Sequence, residues 1–287
     1  MVTSRGWLGY RGRVTHDAAP ASPLDFATSL GRLDEQARRF AAAADRVEGW
    51  GALVPACPGW TVRELVIHLG TIHAWAAASI GAEHAPAEPP FEDDGTPLPE
   101  WYRVRAAALL AALRAAGPEA PAWTLWGDRV AAFWARRQVH ETAVHAFDLV
   151  ASLAASAAGA GAAGAGAAAT ADALTADAGH EPWSVPDAVA LDGLREVLTG
   201  FYPRQVRLGR TAGLPGAVRF EVRTDGGAPL DVLEAPALGA PYGEASQLLG
   251  TVSGTASELY LAIWGRGPLP GASAELAEAV RAARLTP

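Results

Sequence analysis

Residues 154–180 read AASAAGAGAAGAGAAATADALTADAGH, and a stretch of that composition cannot contribute much to a packed core. Alanine and glycine carry little apolar surface to remove from water, and each glycine weakens a helix by about 1 kcal/mol relative to alanine. The tract therefore divides the chain. The uncharged run from Leu149 to Ala171 has the length of a membrane span, yet Ala and Gly supply too little transfer free energy to make it one. We read residues 154–182 as a linker, whose roughly 27 flexible residues would span on the order of 25–30 Å in root-mean-square terms. That reach lets the following residues fold back on the preceding ones.

Before the linker the apolar residues follow helical spacing. Leu30, Leu33, Ala37, Phe40, Ala44 and Val47 alternate steps of three and four, predicting a helix over about residues 27–47. A second begins at TVRE, where Thr61 and Glu64 form a capping box, and Leu65, Leu69, Ile72 and Ala76 give it a buried face. A third covers roughly 100–116 and a fourth roughly 129–153. Four amphipathic helices predict a bundle over residues 25–153, and such bundles place metal sites between facing helices. The Pro-rich acidic loop EHAPAEPPFEDDGTPLPE joins helices two and three, a length that predicts either a functional cover or disorder. After the linker, Pro186 opens a helix bearing Leu191, Leu194, Leu198 and Phe201. AVRFEVRTD alternates Val218, Phe220 and Val222 with Arg219, Glu221 and Arg223, the period of a half-buried strand. Thr255 and Glu258 form another capping box. Residues 183–287 thus read as a small α+β domain, and the chain as a two-domain α+β protein.

Composition excludes several functions. A net charge of -8, with no basic run, argues against nucleic acid as a partner. The single cysteine, Cys57, excludes an internal disulfide framework and a Cys-rich zinc finger, and fits a reducing cytoplasm. Residues 1–24 lack a continuous apolar run, so they read as a disordered extension and not as a secretory signal.

The segment RRQVHETAVHAFDLV, residues 136–150, carries the chemistry. Its HETAVH has one residue too many for the H-E-x-x-H zinc-protease pattern. At about 100° per residue, Glu141 and His145 lie about 40° apart on one helical face, whereas His140 and His145 differ by about 140°. Glu141 with His145 is therefore the chelating pair, and a third ligand must come from another helix. His68 is the candidate, flanked by Leu65 and Ile72 in an apolar stretch, while His73 points elsewhere. Two imidazoles and a carboxylate leave one position open on a divalent ion, the catalytic zinc arrangement. Gln138 and Asp148 share the Glu141–His145 side, as does Arg137 four residues before Glu141, so all three could orient ligands. Trp134 would wall the pocket. Spacing alone leaves plainer alternatives open. His68 could be a hydrogen-bonded core histidine, Arg137–Glu141 a surface pair, Cys57 a packed thiol with no cation near it in sequence, and the tryptophans at 60, 75, 101, 123, 126 and 134 ordinary core.

VPACPGWTVRELVIHLGTIHAW (54–75) and RRQVHETAVHAFDL (136–149) together resemble the mycothiol-dependent maleylpyruvate isomerase family of actinobacteria, a branch of the DinB-like metal-binding bundles. VSGTASELYLAIWGR (252–266) resembles that family's second domain. The resemblance implies a DinB-like four-helix bundle with zinc or another divalent ion on His68, Glu141 and His145. It also implies mycothiol as cofactor, bound through sulfur as thiolate, adding to a small electrophile's cis double bond and leaving after rotation; S-transfer to other electrophiles is the variant chemistry. The competing expectation is a non-catalytic metal- or thiol-binding regulator, which a fourth protein ligand such as His73 or Cys57 would favour. A membrane-tethered regulator would need the Leu149–Ala171 span.

Overall fold

The computed structural model describes residues 24–157, 184–238 and 247–287. Four helices form the N-terminal bundle: α1 (Phe26–Ala44), α2 (Val62–Ser79), α3 (Leu98–Ala116) and α4 (Ala131–Ala157). Local chemistry fixes their starts. The Asp25 side chain accepts from the Thr28 amide at 2.7 Å, and the Thr61–Glu64 capping box is formed in both directions. α3 ends at Gly117, whose φ of 76° is a conformation that side chains resist.

Two boundaries differ from the sequence expectation. α1 stops at Ala44, and the next turn tightens to three-residue bonds, Arg46 N–H to Ala43 O and Val47 N–H to Ala44 O. α4 runs on to Ala157, because alanine favours helix and Ala154–Ala157 simply continue the last turn. The expected linker thus begins as helix, and its remainder lies outside the described residues, as does the expected extension over residues 1–24 except for Leu24, whose N–H donates to Asp192 Oδ1 at 3.3 Å. No helix among those described is long and apolar enough to cross a membrane.

In the bundle, α1 and α2 each pack against both α3 and α4. Gly70 lets α2 approach closely: a β-carbon there would lie 2.2 Å from the Trp101 ring. The long acidic loop is pinned, with Phe91 edge-on to Trp101 at 5.1 Å, Arg63 bonded to Asp93 at 2.8 Å, and the Trp75 indole donating to Pro86 O.

The C-terminal lobe contains α5 (Asp187–Glu196), a π turn (Val197–Phe201), α6 (Tyr202–Arg207), β1 (Ala217–Arg223), β2 (Pro229–Ala235), β3 (Leu248–Thr255), α7 (Ala256–Ile263) and α8 (Ala274–Ala282). The sheet order is β2-β1-β3, with β1 antiparallel to β2 and parallel to β3. Val218, Phe220 and Val222 are buried as the alternation predicts, and the Thr255–Glu258 capping box starts α7. The two lobes share one apolar core: Leu109, Leu113 and Trp134 of the bundle lie in the same buried cluster as Leu191, Leu194 and Tyr260. At that seam Gly193 is required sterically, since a β-carbon would lie 2.1 Å from Tyr260.

Candidate metal centre

α2 carries His68 and α4 carries Glu141 and His145, and their side chains converge. Glu141 Oε1 lies 3.2 Å from His68 Nε2 and 3.3 Å from His145 Nε2, and the three donor atoms lie within 4.8 Å of one another. Two atoms each about 2.0–2.1 Å from one ion at a tetrahedral angle stand roughly 3.4 Å apart. The separations of Glu141 Oε1 from the two imidazole nitrogens therefore already match edges of a zinc tetrahedron. Nitrogen and carboxylate oxygen are suitable zinc donors, so the residues fit the ion. Trp60 covers the trio, its ring 4.7 Å from His68 and 6.2 Å from His145.

Outer contacts hold each ligand in place. The Arg137 guanidinium donates through Nη2 to Glu141 Oε2, and through Nη1 to Glu196 Oε2 at 2.9 Å. Burial alone would raise the Glu141 pKa; the Arg137 charge and the two histidine contacts outweigh it and hold the carboxyl well below its ordinary value. His145 Nδ1 lies 2.9 Å from Asp148 Oδ2. Burial would lower this imidazole's pKa, but hydrogen bonds with Asp148, Cys57 and Glu141 hold it well above its ordinary value. Asp148 in turn accepts from Arg266 Nε at 3.0 Å and Nη2 at 2.7 Å. Cys57 Sγ stands 3.5 Å from Asp148 Oδ2 and 3.4 Å from Arg266 Nη2.

The other sequence candidates divide. Asp148 and Arg137 each touch a member of the trio. Gln138 does not: its Oε1 meets His73 Nδ1 at 2.7 Å, because its side chain turns toward α2 and α3. Trp134 does not wall the site either. It is buried among Trp75, Trp123 and Phe133 and donates to Trp123 O, so its apolar bulk serves the core. His140 turns away, to Asp192 Oδ2 at 2.8 Å. No cation lies near Cys57 in sequence, but the fold brings one to it, because Arg266 arrives from the other lobe.

Arg266 and Glu196 were missed in the sequence. Glu196 left a usable trace: Asp192 and Glu196 stand one turn apart on a helix otherwise read as apolar, and both are buried opposite the consecutive arginines Arg136 and Arg137. Arg266 left none, since nothing local says that it reaches back to Asp148.

His73 carries a separate prediction. Its ring bridges Gln138 and the Tyr102 hydroxyl, and burial pushes its pKa down to about 4. A neutral imidazole is therefore native, and protonation favours unfolding. Its stabilising contribution is complete above the unfolded value near 6.5 and is lost as pH falls from there toward 4, a loss of about 3 kcal/mol. Urea denaturation from pH 7 to 4 should show this acid slope reduced by one proton in His73→Gln; parallel curves for the two proteins would refute it.

A four-helix bundle with a His–Glu–His cluster between two helices, closed by a small α+β lobe, defines the class of protein. Residues 30–150 match the family model described as the mycothiol maleylpyruvate isomerase N-terminal domain, and residues 188–284 match that of the same family's C-terminal domain. The chain belongs to this family. Two crystal structures of a mycothiol-dependent maleylpyruvate isomerase share the fold. One is a histidine-to-alanine variant, with a TM-score of 0.51 and 15% identity over 83% of this chain and 88% of that one. The other, the isomerase itself, gives 0.50 and 15% over 85% and 90%. A search of curated proteins returns no match.

Proposed function

We propose that this chain is a metal- and mycothiol-dependent enzyme of the maleylpyruvate isomerase type, using a low-molecular-weight thiol for cis–trans isomerisation or S-transfer on a small electrophile. The observation that carries the proposal is the convergence of His68 Nε2, Glu141 Oε1 and His145 Nε2 at distances that suit one zinc-sized ion. A divalent ion held there would lower the pKa of an incoming thiol and favour its thiolate.

The chain's own residues prepare that site. Asp148 accepts the Nδ1 proton of His145, which fixes the tautomer and leaves Nε2 as the donor. Arg137 engages Glu141 Oε2 and leaves Oε1 toward the imidazoles. Trp60 shields one side of both rings. A thiol that adds across a cis double bond, waits for rotation about the single bond and leaves again is returned unchanged, so isomerisation consumes no redox partner. The sulfur acts as both nucleophile and leaving group. The free thiol of Cys57 suits a reducing, cytoplasmic setting.

Among the described residues no fourth His, Cys or carboxylate joins the trio, which favours an enzyme over a closed regulatory site. Cys57 lies on the Nδ1 side of His145, with Asp148. The test is a zinc titration of the full chain by calorimetry with elemental analysis, then turnover of maleylpyruvate with and without mycothiol. One ion per chain is expected. His68→Ala should weaken uptake beyond the roughly 10–100-fold that loss of an outer contact produces. A protein that takes up no zinc at micromolar concentration would sink the proposal.

A further inference from the structure

The Arg137 guanidinium is divided between two carboxylates from different lobes. Nη2 serves Glu141 Oε2, one turn along α4, and Nη1 serves Glu196 Oε2 at the end of α5. Both Arg137 and Glu196 are nearly water-free, with side-chain exposures of 4% and 1%. The rings of Phe201 and Trp264 pack on the same guanidinium at 4.9 and 5.3 Å, so the C-terminal lobe surrounds it.

An i, i+4 pair such as Arg137–Glu141 does not by itself fix a rotamer, being worth only about 0.2–0.5 kcal/mol on a helix surface. An arginine fork offered a single carboxylate also tends to bind it through both oxygens. Left alone, Arg137 would therefore compete with an ion for Glu141 Oε1. Glu196 removes that option by engaging the other arm of the fork. The backbone is shaped to deliver it. In an α-helix Glu196 and Phe201, five residues apart, would differ by about 140°. The π turn over Val197–Phe201, with its wider i→i+5 bonding, brings them toward one side, and both meet Arg137.

We infer that Glu196 is a positioning residue for the metal ligand Glu141: by holding one arm of Arg137 it keeps Glu141 Oε1 free and limits that carboxylate to one metal-facing oxygen. The inference rests on the metal site proposed above and extends it, because it makes the C-terminal lobe part of that site's construction.

Cobalt(II) titration of the full chain tests it, read by visible ligand-field absorption as well as by affinity. Wild type and the near-isosteric Glu196→Gln are compared, with thermal melting to verify that both are folded, and Glu196→Asp as the charge-preserving control. Glu196→Gln should lose about tenfold in cobalt affinity and shift the ligand-field bands, as a changed oxygen contribution from Glu141 requires; Glu196→Asp should restore part of both. A purely structural role would alter the melting temperature and leave the bands unchanged. If wild type binds cobalt and Glu196→Gln matches it in affinity and spectrum, the positioning role is wrong and the metal site stands. If wild type binds no cobalt, the metal site fails and this inference with it.

Discussion

Arg137→Met should destabilise the protein by about 3–5 kcal/mol, the usual penalty for removing one partner of a buried ion pair. Two carboxylates, Glu141 and Glu196, would be left facing a space that the guanidinium now fills, with Glu196 almost fully buried. Their mutual repulsion and lost solvation act together, because Glu196 has almost no access to water and Glu141 only a little. Arg137→Lys should recover little, since a single ammonium cannot reproduce the planar fork that spans both acids and lies against Phe201 and Trp264. Adding Glu196→Gln to Arg137→Met should restore much of the loss, because it removes the more deeply buried stranded charge. Urea denaturation at neutral pH measures all four proteins. A loss below about 1 kcal/mol for Arg137→Met, a value typical of exposed pairs, would show that this ion pair is not a structural element.

The same residue shows how far a sequence of this kind can be read. Helical spacing brings Glu141 and His145 to one face, and the apolar setting of His68 aims it at that face. These are local periodicities, and the structure has the three side chains together. The same spacing arguments admit Gln138 and Trp134, and there they are not selective enough. A 3.6-residue period identifies a broad face, not which neighbour lies across from it. Gln138 meets His73, and Trp134 meets two other tryptophans, because α2 and the connection between α3 and α4 stand opposite that part of α4. Capping boxes at Thr61 and Thr255 were legible because both partners lie within four residues. Arg266 was not, because its partners lie 118 and 209 positions away and depend on how the lobes dock. The π turn was also invisible: VLTGF has nothing in its composition to distinguish it from ordinary helix.

That docking can be probed at its most charged point. Asp148 is 1% exposed, and receives two nitrogens of Arg266 and one of His145. Asp148→Asn keeps the shape, but it removes the charge that both cations depend on and can turn an amide N–H toward guanidinium N–H groups. The expected loss is about 3–5 kcal/mol, with zinc affinity reduced about 10–100-fold because His145 loses its orienting acceptor. The pH dependence separates this effect from that of His73. Burial alone would raise the Asp148 carboxyl's pKa, but the His145 hydrogen bond and the Arg266 charge outweigh it and hold the pKa below the ordinary 3.8. Its contribution is therefore complete above about pH 4 and is lost only as pH falls further. The deficit of Asp148→Asn should be largest below about pH 6.5, where the raised pKa of His145 keeps the pair charged, and shrink as pH rises through that pKa. It should hold steady from about pH 6 to pH 5, where the His73 contribution changes, and narrow again only in stronger acid. Chemical denaturation of wild type and Asp148→Asn from about pH 8 to pH 5 decides it. A variant as stable as wild type, or a deficit that already shrinks as pH falls from about 7 to 5, would mean that the Arg266–Asp148–His145 chain does not join the two lobes as the geometry indicates.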